Sequence, residues 1–300
     1  MKKIWLLLKK RPFVQGVVTL LSNPFLQNFP KGTIYQGIGK NLCVPGLNCY
    51  SCPAAAGACP IGALQAVLGD RKFSFSYYVL GILIFFGVLF GRLICGFLCP
   101  FGFIQDLLHK IPTRKWNVAK KIDRPLRLLK YLILAVFVVI LPLFLTNAFG
   151  NGVPYFCKLI CPAGTLEGGI PLMIENESLR AMAGVLFDWK MLLLILTILA
   201  SIFIYRPFCK YLCPLGAFYA LFNKISFYQL KVDTIKCTGC GACEKNCKMN
   251  VEVIKHINSA ECIRCGDCIR VCKEGAISSN FDRESAKSQR SFMSKQKNEG

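Results

Sequence analysis

CTGCGACEKNCKMNVEVIKHINSAECIRCGDCIRVC, residues 237–272, spells one phrase twice. The phrase is Cys-x2-Cys-x2-Cys-x3-Cys, first at Cys237, Cys240, Cys243 and Cys247, then at Cys262, Cys265, Cys268 and Cys272. Tandem runs of this spacing are the ligand pattern of paired 4Fe–4S clusters: three close thiolates hold one cluster and the fourth ligates the other. Cys237, Cys240, Cys243 and Cys272 therefore form one set, and Cys262, Cys265, Cys268 and Cys247 its twin. A tight loop of x2 steps wraps three corners of a cubane, and only a distant residue reaches the fourth. Zinc also takes four thiolates, but its usual pattern is two separated Cys-x2-4-Cys pairs. The tandem run favours iron–sulfur clusters and a chain that moves electrons.

Composition indicates where. Apolar residues make up 54% of the 300, high for a soluble domain, and they are concentrated. Residues 126–147 and 186–205 are each long enough to cross a hydrocarbon core of about 30 Å. A third stretch, 75–98, is apolar and aromatic apart from Arg92, and a weaker fourth, 12–29, is broken by Gln15, Ser22, Asn23 and Pro24. Four such stretches separated by polar loops point to a small membrane bundle rather than to buried helices of a soluble protein. The basic N-terminus (Lys2, Lys3, Lys9, Lys10, Arg11) is followed by no small-x-small cleavage site and is expected to belong to a retained first span. Lys110, Arg114, Lys115, Lys120, Lys121, Arg124, Arg127 and Lys130 crowd the connection after the second span. The loop at 148–185 has only Lys158 and Arg180 against Glu167, Glu175 and Glu177. The positive-inside rule then places the N-terminus, the 99–125 loop and everything after 206 in the cytoplasm of a prokaryotic inner membrane; Lys31, Lys40, Arg71 and Lys72 weaken the bias without reversing it. The net charge of +21 is read as topology and lipid contact, with no nucleic-acid partner expected.

Ten further cysteines lie before residue 229. Gly91-Arg92-x2-Cys95-x3-Cys99-Pro100-x-Gly102 matches Arg206-x2-Cys209-x3-Cys213-Pro214-x-Gly216, and Cys157-x3-Cys161-Pro162-x-Gly164 is a third copy. Cysteines four apart on a helical turn point the same way, so two pairs make a four-thiolate site. Cys95, Cys99, Cys209 and Cys213 are the natural set, since the topology puts all four at the cytoplasmic side. Packing, disulfides and zinc are the competing readings. The outer face offers Cys43, Cys49, Cys52 and Cys59, then Cys157 and Cys161. Cys59-Pro60-x-Gly62 aligns with Cys161-Pro162-x-Gly164, so the halves look like duplicates. A fourth cluster there would use Cys49, Cys52, Cys59 and one or both of Cys157 and Cys161; disulfides are the alternative, the usual fate of cysteine outside the cytoplasm.

With these motifs, four spans and a C-terminal two-cluster ferredoxin, residues 12–275 resemble the NapH/NosR-type membrane iron–sulfur proteins. The resemblance rests on Cys95, Cys99, Cys209, Cys213 and the eight cysteines of 237–272. It implies electron flow between the membrane and a partner redox protein, often through a quinol dehydrogenase or a flavin-bearing extracytoplasmic subunit. The chain departs from the family pattern in having no room for an extracytoplasmic flavin domain, and in carrying the outer cysteines. Lys248 and Lys273 also stand where two-cluster ferredoxins usually have proline, which bears on potential rather than ligation.

Only two histidines occur, His109 and His256, outside the spans and without a Cys-x2-Cys-His site, so no haem is expected. Gly239-x-Gly241 lies inside a cluster loop and serves its turns rather than a nucleotide. Asp106 and His109 follow Cys99 on an amphipathic stretch with Phe103, Leu107, Leu108 and Ile111. They are expected on a solvated interfacial face, with a proton relay to a quinone as the alternative.

The expected architecture is a membrane all-α bundle of four transmembrane helices in two repeated hairpins (1–228), a small α+β two-cluster bacterial-type ferredoxin domain (229–280) and a disordered tail (281–300). The expected function is a membrane-bound iron–sulfur relay between cytoplasmic and membrane or extracytoplasmic redox partners. It is an electron-transfer subunit of an oxidoreductase complex rather than a stand-alone catalyst. A quinol dehydrogenase or quinone reductase subunit, and a redox sensor or maturation factor for a respiratory metalloenzyme, are the alternatives. Lys236, Lys245, Lys248, Lys255, Arg264 and Arg270 would steer an acidic ferredoxin- or flavodoxin-like carrier to the soluble clusters, and a flavin- or metal-containing acceptor would take electrons outside.

Overall fold

The computed structural model describes residues 11–69, 77–145, 152–181 and 183–281. Lys2, Lys3, Lys9, Lys10, Arg71, Lys72 and the tail after Phe281 lie outside the described residues. What is described is mostly helical, with one two-stranded sheet.

Helix α1 (Arg11–Ser22) is followed by an irregular loop carrying Cys43–Cys59, then α2 (Pro60–Gly69), α3 (Tyr77–Phe90), α4 (Leu93–Phe97) and α5 (Pro100–His109). Among the described residues two helices are long and apolar enough to cross a membrane: α6 (Lys120–Phe144), of 25 residues, and, later in the chain, Val185–Phe203, of 19. At 1.5 Å per residue they reach about 37 and 28 Å, against a core of about 30 Å. Both turn apolar side chains outward: Leu132 is 57% exposed, Leu196 52% and Leu199 49%. Bare apolar surface of this extent needs a cover, and lipid supplies one.

Within the described residues the other two expected spans are shorter. Helix α1 has 12 residues and α3 has 14, about 18 and 21 Å. Helix α1 stops at Asn23-Pro24, because proline pushes the residue before it out of the helical region. Helix α3 stops where Gly91 takes φ +53°, which glycine adopts without the clash a Cβ would bring. The apolar stretch 75–98 is thus not one helix but α3, a left-handed turn and α4.

Between the two long helices lie α7 (Tyr155–Leu159) and a helical run over 162–175; α8 is Val185–Phe203. It ends at Phe203, and Arg206, left-handed at φ 48°, stands directly before α9 (Pro207–Tyr211); α10 (Pro214–Phe222) follows. Proline opens α5, α9 and α10 at their first turn, where its missing N–H is no loss.

Strand β1 (Leu230–Val232) pairs antiparallel with β2 (Ile277–Ser279), Leu230 opposite Ser279 and Val232 opposite Ile277. The sheet closes the cysteine-rich segment, whose short helices α11 (Ala242–Lys245) and α12 (Asp267–Val271) each begin after a left-handed glycine, Gly241 and Gly266. This repeat inside the repeat is the ferredoxin turn that the doubled cysteine spacing implies. One core joins it to the helices: Ile94, Phe101, Phe208 and Tyr219 are continuous with Met249, Val251 and Ile263, all buried.

Candidate metal centres

All eighteen cysteines are free thiols. Among the described residues no three Cys, His, Asp or Glu side chains converge closely enough for a single metal ion; sets of four thiols surround voids or one another instead. Cys237, Cys240, Cys243 and Cys272 line a cavity of about 360 Å³. Cys247, Cys262, Cys265 and Cys268 line a contracted void of about 20 Å³. Each cavity is lined by three thiols of one run and the fourth thiol of the other. The first set is the more open, with Cys240 exposed, while the second faces the helices.

In the bundle, Cys95, Cys99, Cys209 and Cys213 are all buried, and Cys213 lies within electrostatic reach of the other three. The two loops are held by reciprocal arginines. Arg92 Nη2 donates to the Cys209 carbonyl at 3.2 Å, and Arg206 Nη1 donates to the Cys95 carbonyl. Both side chains are fully buried. Gly102 N donates to Cys99 Sγ and Gly216 N to Cys213 Sγ, each at 3.4 Å.

The third set lies around the Cys43–Cys59 loop. Cys49, Cys59, Cys157 and Cys161 line a mainly apolar cavity of about 420 Å³. A Cβ built on Gly62 would stand 3.8 Å from Cys157 Sγ and one on Gly164 3.7 Å from Cys49 Sγ, so the two motif glycines keep the approach open. Cys52 is not part of this lining; it packs in a separate small cluster with Ala54 and Ala55, 3.7 Å from Asn23 Oδ1. Cys43 forms an isolated bridge with Ala58. Burial pushes the Cys49 and Cys157 thiols up to about 12. Such thiols ionise at neutral pH only beside a cationic centre, the condition a metal ligand set meets.

This loop also reaches the bundle set. A Cβ on Gly46 would fall 2.9 Å from Cys99 Cα, Tyr219 Oη donates to the Pro45 carbonyl at 3.0 Å, and Leu47 lines the third cavity while its backbone faces the Cys99 thiol. Leu47 thus touches both the bundle set, at Cys99, and the third cavity.

Sequence reading missed the sixth residue after each Cys-Pro cysteine. Gln65 donates to Cys157 Sγ at 3.3 Å and Gln105 to Cys209 Sγ at 3.1 Å. In the other two copies Glu167 accepts from Cys49 N at 2.6 Å and Tyr219 bonds Pro45. Burial carries the Glu167 carboxyl up to about 7, against the backbone N–H that lowers it. The signal was present as CPIGALQ (59–65) beside CPFGFIQ (99–105).

Two charged positions correct the sequence reading. Asp106 is not on a solvated face: Arg206 grips it through Nε and Nη2 at 2.7 and 2.6 Å, Arg11 Nη2 at 2.6 Å and Gln15 Nε2 at 3.1 Å. Arg264 is no steering charge: it is 1% exposed and donates to the carbonyls of Phe90 and Asn223 at 2.8 and 2.6 Å, fastening the ferredoxin segment to the bundle. His109 stacks edge-on to Tyr205, and both line a cavity of about 490 Å³ with Asp106, Arg11 and Lys248.

Comparison with known proteins points to iron–sulfur clusters. A 4Fe–4S binding domain model matches residues 57–77, 75–119 and 189–232, and a second 4Fe–4S binding domain model matches 255–278. An uncharacterised protein of Methanocaldococcus jannaschii is 30% identical over 71% of this chain and 73% of its own length. The putative electron transport protein YccM of Escherichia coli is 29% identical over 57% of this chain and 45% of its own. The methylamine utilization ferredoxin-type protein MauN of Paracoccus denitrificans is 26% identical over 55% and 50%. No solved structure matches. By these matches the chain belongs to the family of membrane-associated 4Fe–4S ferredoxin-type electron-transport proteins.

Proposed function

We propose that this electron-transport chain runs through four sites in line: the Cys237 set, the Cys262 set, the bundle set, and the cavity of Cys49, Cys59, Cys157 and Cys161. A 4Fe–4S cluster, when bound, supplies one-electron chemistry at each. The observation that carries the order is Arg92. Its Nη1 donates to the Ala260 carbonyl at 2.9 Å and to Glu261 Oε2 at 2.8 Å, beside Cys262, while Nη2 holds the Cys209 carbonyl. One guanidinium thus ties the second ferredoxin set to the bundle set. Asn223 adds two bonds, to the carbonyls of Ser259 and Cys262. The protein's part is to fix these loops and exclude water from all but the first set.

The positive-inside bias supports a cytoplasmic ferredoxin domain, with α1 and α3 completing a four-span bundle around the two long helices. Exposed Cys240, with Lys236, Lys245 and Lys255 nearby in sequence, is the entry for an acidic cytoplasmic carrier. The third cavity is the exit towards an extracytoplasmic flavin- or metal-containing acceptor. A quinone is the second reading, favoured by the 490 Å³ cavity of Tyr205, His109 and Asp106, whose Tyr205 is in electrostatic reach of Cys265.

Iron and acid-labile sulfide on anaerobically purified protein test the count. Four clusters require about sixteen irons per chain, three about twelve, and two about eight. A value near eight would remove the bundle and third sites from the route.

A further inference from the structure

Two buried arginines, Arg92 and Arg206, lie against the Cys95, Cys99, Cys209 and Cys213 site, and each is held by a carboxylate that a second basic residue shares. Asp106 is shared by Arg11 and Arg206. Glu261 is shared by Arg92 and Lys130, at 2.8 and 2.6 Å. Arg92, Lys130 and Arg206 are 0% exposed, and Arg11 only 11%. Arg92 and Arg206 thus each share their carboxylate with a second basic residue, so neither guanidinium is fully paired by it. Buried charge that is only partly paired favours an anion beside it. The two arginines show where it belongs, because each lies against the cysteine loop of the opposite repeat. A cubane on four thiolates carries a net charge of about −2 when oxidised and one more negative charge when reduced, and cluster potential follows the charge and hydrogen bonding around it.

Resting on the reading that the bundle site holds a cluster, we infer that Arg92 and Arg206 set the potential of that site as well as its geometry. Their charge favours the state with the extra electron and raises the reduction potential, so that the bundle site draws electrons out of the ferredoxin domain. The electron leaves the Cys262 set as it enters the bundle set; no bond forms or breaks. Asp106 and Glu261 moderate the effect, each cancelling part of one arginine. A purely architectural role for the arginines makes a different forecast: any substitution loosens the loops, and the sign of the charge removed does not matter.

The experiment is a redox titration followed by EPR on the anaerobically purified full chain. The bundle couple is identified as the one missing from Cys213→Ala. At a poise near the wild-type midpoint, Arg92→Gln and Arg206→Gln are expected to lower the reduced-to-oxidised ratio of the bundle site at least tenfold, a fall of about 59 mV or more in midpoint for a one-electron couple. Arg206→Lys keeps the charge and restores most of the loss. Glu261→Gln and Asp106→Asn, which each remove a negative charge, shift the midpoint upward. An unchanged midpoint, or a shift of the same sign in both classes with iron content intact, overturns the inference. Should the arginine variants lose iron, the carboxylate variants decide, a rise supporting the inference and its absence overturning it. Wild-type iron of about eight per chain would instead overturn the cluster reading beneath it.

Discussion

Gln105 donates its side-chain amide to Cys209 Sγ at 3.1 Å, although 104 positions separate the two in the chain. Gln65 repeats the relation with Cys157 at 3.3 Å. Each glutamine sits six residues after a Cys-Pro cysteine, on a helix opened by that proline, and reaches the first thiol of a facing Cys-x3-Cys pair. A hydrogen bond from an amide to a charged acceptor contributes about 1.5–3 kcal/mol. Gln105→Leu keeps the volume roughly and removes the donor. The expected result is a loss of about that size in resistance to denaturant, read from the bleaching of cluster absorbance, together with a lower potential for the bundle couple. Gln65→Leu should act likewise on the third site and leave the bundle couple where it was.

Asp106 gives a pH prediction whose sign follows from its surroundings. Burial alone would raise its carboxyl, but Arg206 and Arg11 outweigh burial and hold it down at about 2, below the ordinary 3.8. The fold therefore favours the ionised form. That contribution is complete above 3.8 and is lost as pH falls towards 2. Thermal unfolding of wild type and Asp106→Asn should differ by a constant amount from pH 8 to about pH 4, and the gap should close below. A carboxylate held so firmly is not a proton donor at neutral pH, so a quinone at the neighbouring cavity would have to take its proton from elsewhere.

Glu261 anchors the ferredoxin segment through Arg92 and Lys130, both fully buried. Removing one partner of a buried ion pair leaves the other charge unmet and costs about 3–5 kcal/mol. Glu261→Leu strands two cations at once. It should loosen residues 223–229, where the chain passes from α10 to β1, and hydrogen exchange there should rise while the Cys237 loop is unaffected. Unaltered exchange across 223–229 would mean that Arg264 and Asn223 suffice to hold the two parts together.

The ferredoxin ligands were legible because spacing within a short loop fixes which thiols meet. The Cys-Pro pairs were legible because the phrase recurs. The lengths of the two shorter spans were not: hydropathy averages over a window and does not register a single left-handed residue such as Gly91, which ends α3, or Arg206, which stands before α9. Arg206 is the less expected of the two, since a non-glycine residue there costs roughly 1–2 kcal/mol, met by its bonds to Asp106 and the Cys95 carbonyl. Charge was equally opaque. Arg264 is one of several basic residues in a cysteine-rich loop, and only packing shows that it points inward. Cys52 is spaced from Cys49 like a ligand, but spacing does not say which way a side chain turns.

The third site separates cysteines that the sequence leaves alike. Cys49, Cys59, Cys157 and Cys161 line the cavity, and Cys52 turns away to Asn23. If that cavity holds a cluster, Cys161→Ser should remove about four irons per chain, one cubane, and abolish one EPR couple while sparing those of the ferredoxin domain. Cys52→Ser should keep the iron and the couple, because a buried thiol beside an amide oxygen is replaced by a hydroxyl that keeps the same hydrogen bond. Loss of four irons from Cys52→Ser, with retention in Cys161→Ser, would reverse the assignment and return Cys52 to the ligand set that its spacing implies.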